Sequence, residues 1–234
     1  MSGHSKWATT KRQKAAVDAK RSSLFTKVSK NLSIAARDGA DPTSNFKLRI
    51  AIDQARAVSM PKDNIERAIA RGSGTSGGAQ LEHILYEGYG PEGIALIVET
   101  ITDNKNRTIS ELKHYFSKNG GHLAGNGSVS WMFDERGVIT VTGPTLSGEQ
   151  ELALIDHGLL DVRRDGGITL ITERGKLQEA KEAAEKLGLS IGEASLAYMP
   201  KDPIAPKDSE RLTNFLDGLD DLDDVNTIYT NADI

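Results

Sequence analysis

Through the first 71 positions the apolar residues recur at helical spacing. Val17, Leu24, Phe25, Val28, Leu32 and Ala35 fall three or four apart, and Lys20, Lys27, Lys30 and Arg37 lie off that stripe, which predicts a helix with one packing side and one cationic side. Gly39 stops this helix. Asp41-Pro42 supplies a cap and a first-turn proline for a second, with a stripe of Leu48, Ile52, Ala55 and Val58. Pro61 opens a third, in which Ile65 and Ile69 are four apart and Arg71-Gly72 provide a terminal cation and a stop. Three such helices form a small bundle.

Residues 72–78 have too little side chain to bury and read as a flexible linker. Beyond them the period changes. A β-branched run at 94–101 predicts a strand, 108–116 a helix, and the alternation at 128–133 another strand. Strands at 138–141, 160–164, 168–173 and 193–199 with helices at 149–155 and 177–187 then give the order βαββαβ, the ferredoxin-like one. Pro200, Pro203 and Pro206 mark a boundary, after which a helix at 209–219 and a strand at 225–230 have no sheet of their own. The economical solution returns them to the first β/α module. The expected fold is therefore α+β: an N-terminal three-helix bundle followed by two ferredoxin-like α/β sandwich domains, the second inserted into the first. The expected limits are 1–78 for the bundle and linker, 79–134 plus 207–234 for the host, and 135–206 for the insertion.

Charge divides the chain at the same place. Residues 1–72 hold 15 Lys and Arg against 6 Asp and Glu, a net of +9, so the total of −4 leaves −13 for the rest. Such asymmetry points to a basic module that meets a polyanion. Lys6, Lys11, Arg12, Lys14, Lys20 and Arg21 fall within 16 residues whose one acid is Asp18, and Trp7 offers a stacking face among them. With 234 residues and 38% hydrophobic content, the chain suits two or three small folded domains. It has no cysteine, which excludes disulfides and thiolate metal sites. No secretory h-region is visible, and the longest apolar run, 94–98, falls far short of the roughly 20 residues a membrane span needs. A cytoplasmic protein without membrane contact is expected.

Other motifs read as structural. Gly74-Thr75-Ser76-Gly77-Gly78 matches the G-x-S-x-G nucleophile elbow but follows a helix inside a glycine linker, not a strand. His4, His83, His114, His122 and His157 have no metal-ligand or general-base spacing, and there is neither a Walker loop nor a G-x-G-x-x-G. Asp217, Asp220, Asp221, Asp223 and Asp224 lack EF-hand spacing and read as a solvated helix end. The glycine-rich segments 86–93 and 120–127 read as loops that need positive φ, with a contact surface as the alternative.

Four ordered blocks carry a family resemblance. They are Gly3-His4-Ser5-Lys6-Trp7, Met60-Pro61-Lys62-Asp63-Asn64-Ile65-Glu66-Arg67-Ala68-Ile69, Tyr86-Glu87-Gly88-Tyr89-Gly90-Pro91 and Ser128-Val129-Ser130-Trp131-Met132-Phe133. With these the chain resembles the YebC/PmpR family, whose mitochondrial relatives are translational activators of cytochrome oxidase, and the likeness runs from Ser2 to Asp233. The resemblance implies three domains, no enzymatic activity and no cofactor. It also implies a DNA-binding transcriptional regulator or, alternatively, a ribosome-associated factor that relieves stalled elongation, notably at proline runs. Carried over by position, the contact residues are His4, Lys6, Trp7, Lys11, Arg12 and Lys14 with Lys62, Asn64 and Arg67, to which the basic pattern adds Lys20 and Arg21. Two departures from the family pattern stand out: residues 159–165 are less acidic than usual, and Ser59 replaces the usual asparagine, with little consequence expected beyond a changed cap. The expected partner is nucleic acid, as duplex DNA or ribosomal RNA, with the ribosome as a further candidate. A monomer without small-molecule substrate or metal is expected, and a protein-interaction adaptor is the rival reading.

Overall fold

In the computed structural model, which describes residues 19–75, 81–143, 145–164 and 166–234, the chain runs α1 (Ala19–Ala35), α2 (Phe46–Ala57), α3 (Lys62–Gly72), β1 (Glu82–Tyr89), β2 (Ala95–Thr102), α4 (Lys105–Lys118), β3 (His122–Ala124), β4 (Phe133–Val141), α5 (Gly148–Ile155), β5 (Leu159–Arg163), β6 (Ile168–Glu173), α6 (Leu177–Lys186), β7 (Ile191–Pro200), α7 (Ser209–Asp220) and β8 (Val225–Thr230). The expected stripes close the helical core, where Val28, Leu32 and Ala35 meet Leu48, Ile52, Ala55 and Ile65. Asn45, not Asp41-Pro42, caps α2. The Asp41 carboxylate accepts from Thr43 N and Oγ1 at 2.9 and 2.7 Å, closing a turn. Asn45 Oδ1 accepts from Leu48 N at 3.0 Å while its Nδ2 donates to Ala35 O and Gly39 O, both at 2.7 Å, so one buried amide joins two helix ends.

Two further helix ends differ from expectation. Gly72 belongs to α3 and is there for closeness: a Cβ would sit 2.0 Å from the Ser33 carbonyl oxygen, and the positive φ that ends the segment is at Gly74. Ser59 sits at φ +59, with Ser59 N donating to Arg56 O and Met60 N to Ala55 O, both at 2.9 Å. That is a Schellman ending with its left-handed position filled by serine, so the departure at this site costs backbone strain as well as a cap.

Two four-stranded antiparallel sheets follow, ordered β3-β1-β2-β8 and β5-β6-β4-β7. In the first, β1 and β2 form a hairpin in register from Glu82↔Thr102 to Tyr89↔Ala95, and β8 pairs with β2 from Leu96↔Thr230. Leu96, Val98 and Ile228 pack against Leu112 and Phe116 of α4 and Leu212, Phe215 and Leu216 of α7, so the closing αβ pair completes this sandwich. The second sheet has the βαββαβ order, with Ile139, Leu154, Leu170 and Ala184 fully buried. The chain divides into two units, residues 134–199 and the remainder. Lys201 N donates to Met132 O and Ile204 N to Asn231 O at 2.9 and 2.7 Å, so residues 201–206, grouped with the insertion by proline spacing, bond to the host. Residues 128–132 are not a strand: a single 3-10 turn spans Ser130–Met132, and β4 begins at Phe133.

The bundle is fastened to the first sandwich through charge. Lys27 Nζ donates to Asp220 Oδ1 and O, both at 2.8 Å, and Lys30 Nζ to Asp224 Oδ1 and Asp223 O at 3.0 and 2.8 Å. The other Asp224 oxygen accepts from Arg107 Nη2, Thr108 Oγ1 and Thr102 Oγ1 at 2.8, 2.8 and 3.0 Å. Asp220 and Asp224 are therefore not solvated, whereas Asp221 and Asp223 stay exposed as expected. Burial pushes the Asp224 carboxyl up, but Arg107, Lys30 and Thr108 more than offset this and hold it down at about 2.

Ser59→Gly removes the side-chain strain while keeping the Schellman bonds, and denaturant unfolding is expected to show a gain of about 1 kcal/mol. The Asp224 carboxyl, at 3.8 when unpaired and about 2 when folded, contributes stability that is complete above about pH 4 and lost as pH falls toward 2. Asp224→Asn is expected to lower stability at neutral pH by about 2 kcal/mol and to flatten that acid limb of the stability curve.

Candidate nucleic-acid interface

Of the cations on the expected basic side of α1, three are spent inside the molecule. Lys27 and Lys30 hold the acidic segment, and Arg37 donates to the Leu81 carbonyl. Lys20 and Arg21 lie in the first turn of α1, with side chains outside the described part, and His4, Lys6, Trp7, Lys11, Arg12 and Lys14 also fall outside the described residues. Lys62, Asn64 and Arg67 lie in the first two turns of α3. Arg67 Nε donates to Asp63 O at 3.1 Å and its Nη2 to Asn64 Oδ1, so these two are brought together. Lys62, with its side chain 86% exposed, lies 3.5 Å from Glu66.

This helix start is not an open phosphate cradle. The amides of Asn64 and Ile65 donate to Pro61 O at 2.9 and 3.2 Å, and the Asp63 carboxylate stands in the same first turn. An anion bound at the backbone there would meet the like charge of Asp63. Around them Arg71 is exposed, Arg56 lies 3.7 Å from Asp53, and the Arg49 guanidinium sits 5.7 Å from the Phe46 ring centroid.

The elbow serine, Ser76, falls outside the described residues. His83 and His157 do gain carboxylate partners, Glu99 at 2.5 Å and Glu179 at 3.1 Å, which sequence spacing does not reveal; Glu99 also accepts from Asn226 and Glu179 from Lys176. Among the described residues no group of His, Asp or Glu could hold a metal ion, and no helix is long and apolar enough to cross a membrane.

The glycine-rich segments hold more structure than loops. Residues 82–89 form strand β1, and residues 122–124 form β3 beside it, with Tyr89 opposite His122. Gly88 and Gly121 have no room for a side chain: a Cβ would lie 2.8 Å from the His122 carbonyl at the first and 2.5 Å from the Tyr89 carbonyl at the second. Glu87 is buried, and its carboxylate accepts from Gly127, Val129 and Ser130 N at 2.7, 2.7 and 3.0 Å. Burial pushes its carboxyl up, but the three amides prevail and hold it below the ordinary range. A buried carboxylate thus fixes the loop that carries Trp131, which is 64% exposed. The alternation of Ser128, Val129 and Ser130 conceals this, and the flanking Gly125 and Gly127 are the signal that a loop stands there.

Glu87→Ala leaves three amides without their acceptor. It is expected to lower stability by about 3 kcal/mol and to abolish hydrogen-exchange protection at Gly127, Val129 and Ser130 before any change in the bundle.

Comparison with known proteins places this architecture. Residues 5–75 match the TACO1/YebC protein N-terminal domain and residues 81–232 the TACO1/YebC second and third domain. The chain is 46% identical, over its whole length and 99% of the relative, to a probable transcriptional regulatory protein of Caldanaerobacter subterraneus. It is 48% identical, again over its whole length and 98% of the relative, to one of Thermoanaerobacter pseudethanolicus. Among solved structures, a conserved hypothetical protein of Aquifex aeolicus superimposes with a TM-score of 0.86 at 40% identity, over 97% of this chain and 96% of that one. Both domain matches, in order and together spanning nearly every residue, show that the chain belongs to the TACO1/YebC family.

Proposed function

We propose that the protein is a non-enzymatic, cytoplasmic regulator of gene expression that binds nucleic acid through its basic bundle. The observation that carries this is how the charge is used: after the two clamped lysines are set aside, residues 1–72 still hold a net +7. That surplus has no counterpart in the bundle, and a phosphate backbone supplies one by releasing counterions. The names of the relatives, probable transcriptional regulatory proteins, support a regulatory role. Duplex DNA and folded ribosomal RNA both present the required phosphate array, so transcriptional regulation and action on the ribosome fit the charge equally. In this reading His4, Lys6, Trp7, Lys11, Arg12, Lys14, Lys20 and Arg21 make general contacts, and Lys62, Asn64 and Arg67 add selectivity. The protein acts as a monomer without cofactor or metal. Residues 1–78 form the binding module, and the host and inserted domains make up the body.

Crosslinking in cells followed by sequencing of the recovered DNA and RNA decides between the two targets; recovery of neither overturns the proposal. With the full chain, binding to duplex DNA is expected to weaken with salt at a slope of roughly −0.9 per neutralised phosphate. Changing Lys11, Arg12 and Lys14 together to Glu is expected to weaken every polyanion alike. Asn64→Ala, which removes no charge but releases Arg67, is expected to leave low-salt affinity within about twofold and stability within about 1 kcal/mol while reducing activity in cells. Full activity of Asn64→Ala removes that block from the interface.

A further inference from the structure

Trp131 lies outside the basic bundle and is 64% exposed. This exposed indole is bonded to its own loop, and that loop is held at several further points. Its Nε1–H donates to Ser128 O at 3.0 Å, and Tyr89 Oη donates to the same carbonyl at 3.1 Å. Val129, between them, is fully buried, and the Glu87 carboxylate pins the amides on either side of it. Lys201 Nζ donates to the Trp131 backbone carbonyl at 2.9 Å, which ties the segment after the insertion to this loop. Tyr89 in turn stacks on His122, with ring centroids 5.2 Å apart and planes inclined by 30°.

This arrangement narrows the partner. The one polar group of the indole is already bonded within its own loop, so what Trp131 offers outward is a fixed aromatic plane. The loop that carries it is polar: Asn126 is exposed, Ser128 and Ser130 are half-buried, and Lys201 bonds its carbonyl next to the exposed Asp202. A protein-binding hot spot would be ringed by apolar contacts that exclude water, whereas an exposed ring on a polar loop, with a lysine bonded to its backbone, suits an unpaired base and its phosphate.

We propose that Trp131, fixed by the Glu87-anchored loop with Lys201 bonded to its carbonyl, is a stacking platform for an unpaired nucleotide base, forming a second nucleic-acid contact outside the basic bundle. The proposal rests on the nucleic-acid reading given above. It assigns the two contacts different preferences: the bundle takes phosphates of any strand, and the platform takes a base that duplex pairing hides.

The test uses the full chain. In a Trp7→Phe background Trp131 is the one remaining tryptophan, and a short oligouridylate is expected to quench its emission on titration. Trp131→Ala is expected to weaken oligouridylate binding roughly 5- to 150-fold. Trp131→Phe is expected to recover most of that loss, while affinity for a duplex of equal length changes less than about twofold in both variants. Equal affinity of wild type and both variants for the single strand overturns the platform and leaves the bundle reading standing. An equal loss on the duplex, or quenching by a proline-rich peptide with none by the oligonucleotide, also overturns it. A wild-type chain with no affinity for any nucleic acid overturns both proposals.

Discussion

A single carboxylate, Asp224, lies where the bundle, the hairpin, the helix after it and the last strand meet. A charge taken out of water must be paired and hydrogen-bonded on all sides, and Asp224 satisfies that demand with Lys30, Arg107, Thr102 and Thr108. None of these groups can shift without exposing another to an uncompensated charge. The interlock therefore does more than add a bond: it sets the direction in which α1 leaves the host sandwich. Lys27 and Asp220 repeat the contact further along the helix, which fixes rotation about its axis as well.

The same constraint sorts the basic residues into two populations. Lys27 and Lys30 are nearly buried and belong to the architecture, while Lys62, Arg67 and Arg71 face solvent from another helix. Residue type does not distinguish them; the presence of a carboxylate brought from the far end of the chain does. Carboxylates play the corresponding part in the host domain. Glu87 organises the loop of Trp131, and Glu92, at φ +62, accepts from Lys207 and Asp208 N at 2.8 and 2.9 Å where α7 begins.

Periodicity made the helices legible, and strand 225–230 agrees with the structure to the residue, because burial on one face writes directly into the order of apolar positions. The same pattern missed β1, where Glu87, Gly88 and Gly90 resemble a turn and the strand is revealed by pairing alone. Gly72 resembled a stop, because closeness to Ser33 depends on a helix that sequence spacing does not place beside it. At the candidate interface the surplus charge was visible, but the share of it neutralised within the fold was not. That share is decided by contacts between residues more than 190 positions apart.

Such separation has a consequence during synthesis. Lys27 and Lys30 emerge from the ribosome early, and the carboxylates that neutralise them follow 193 and 194 residues later. The whole inserted unit, residues 134–199, must be made before strand β8 can close the host sheet over them. For most of its translation the nascent chain therefore carries a more cationic amino-terminal region than the finished protein, without the acidic counterweight that later restrains it. A truncated product would keep that excess permanently, so completion of the carboxyl terminus is what tempers the basic end of this molecule.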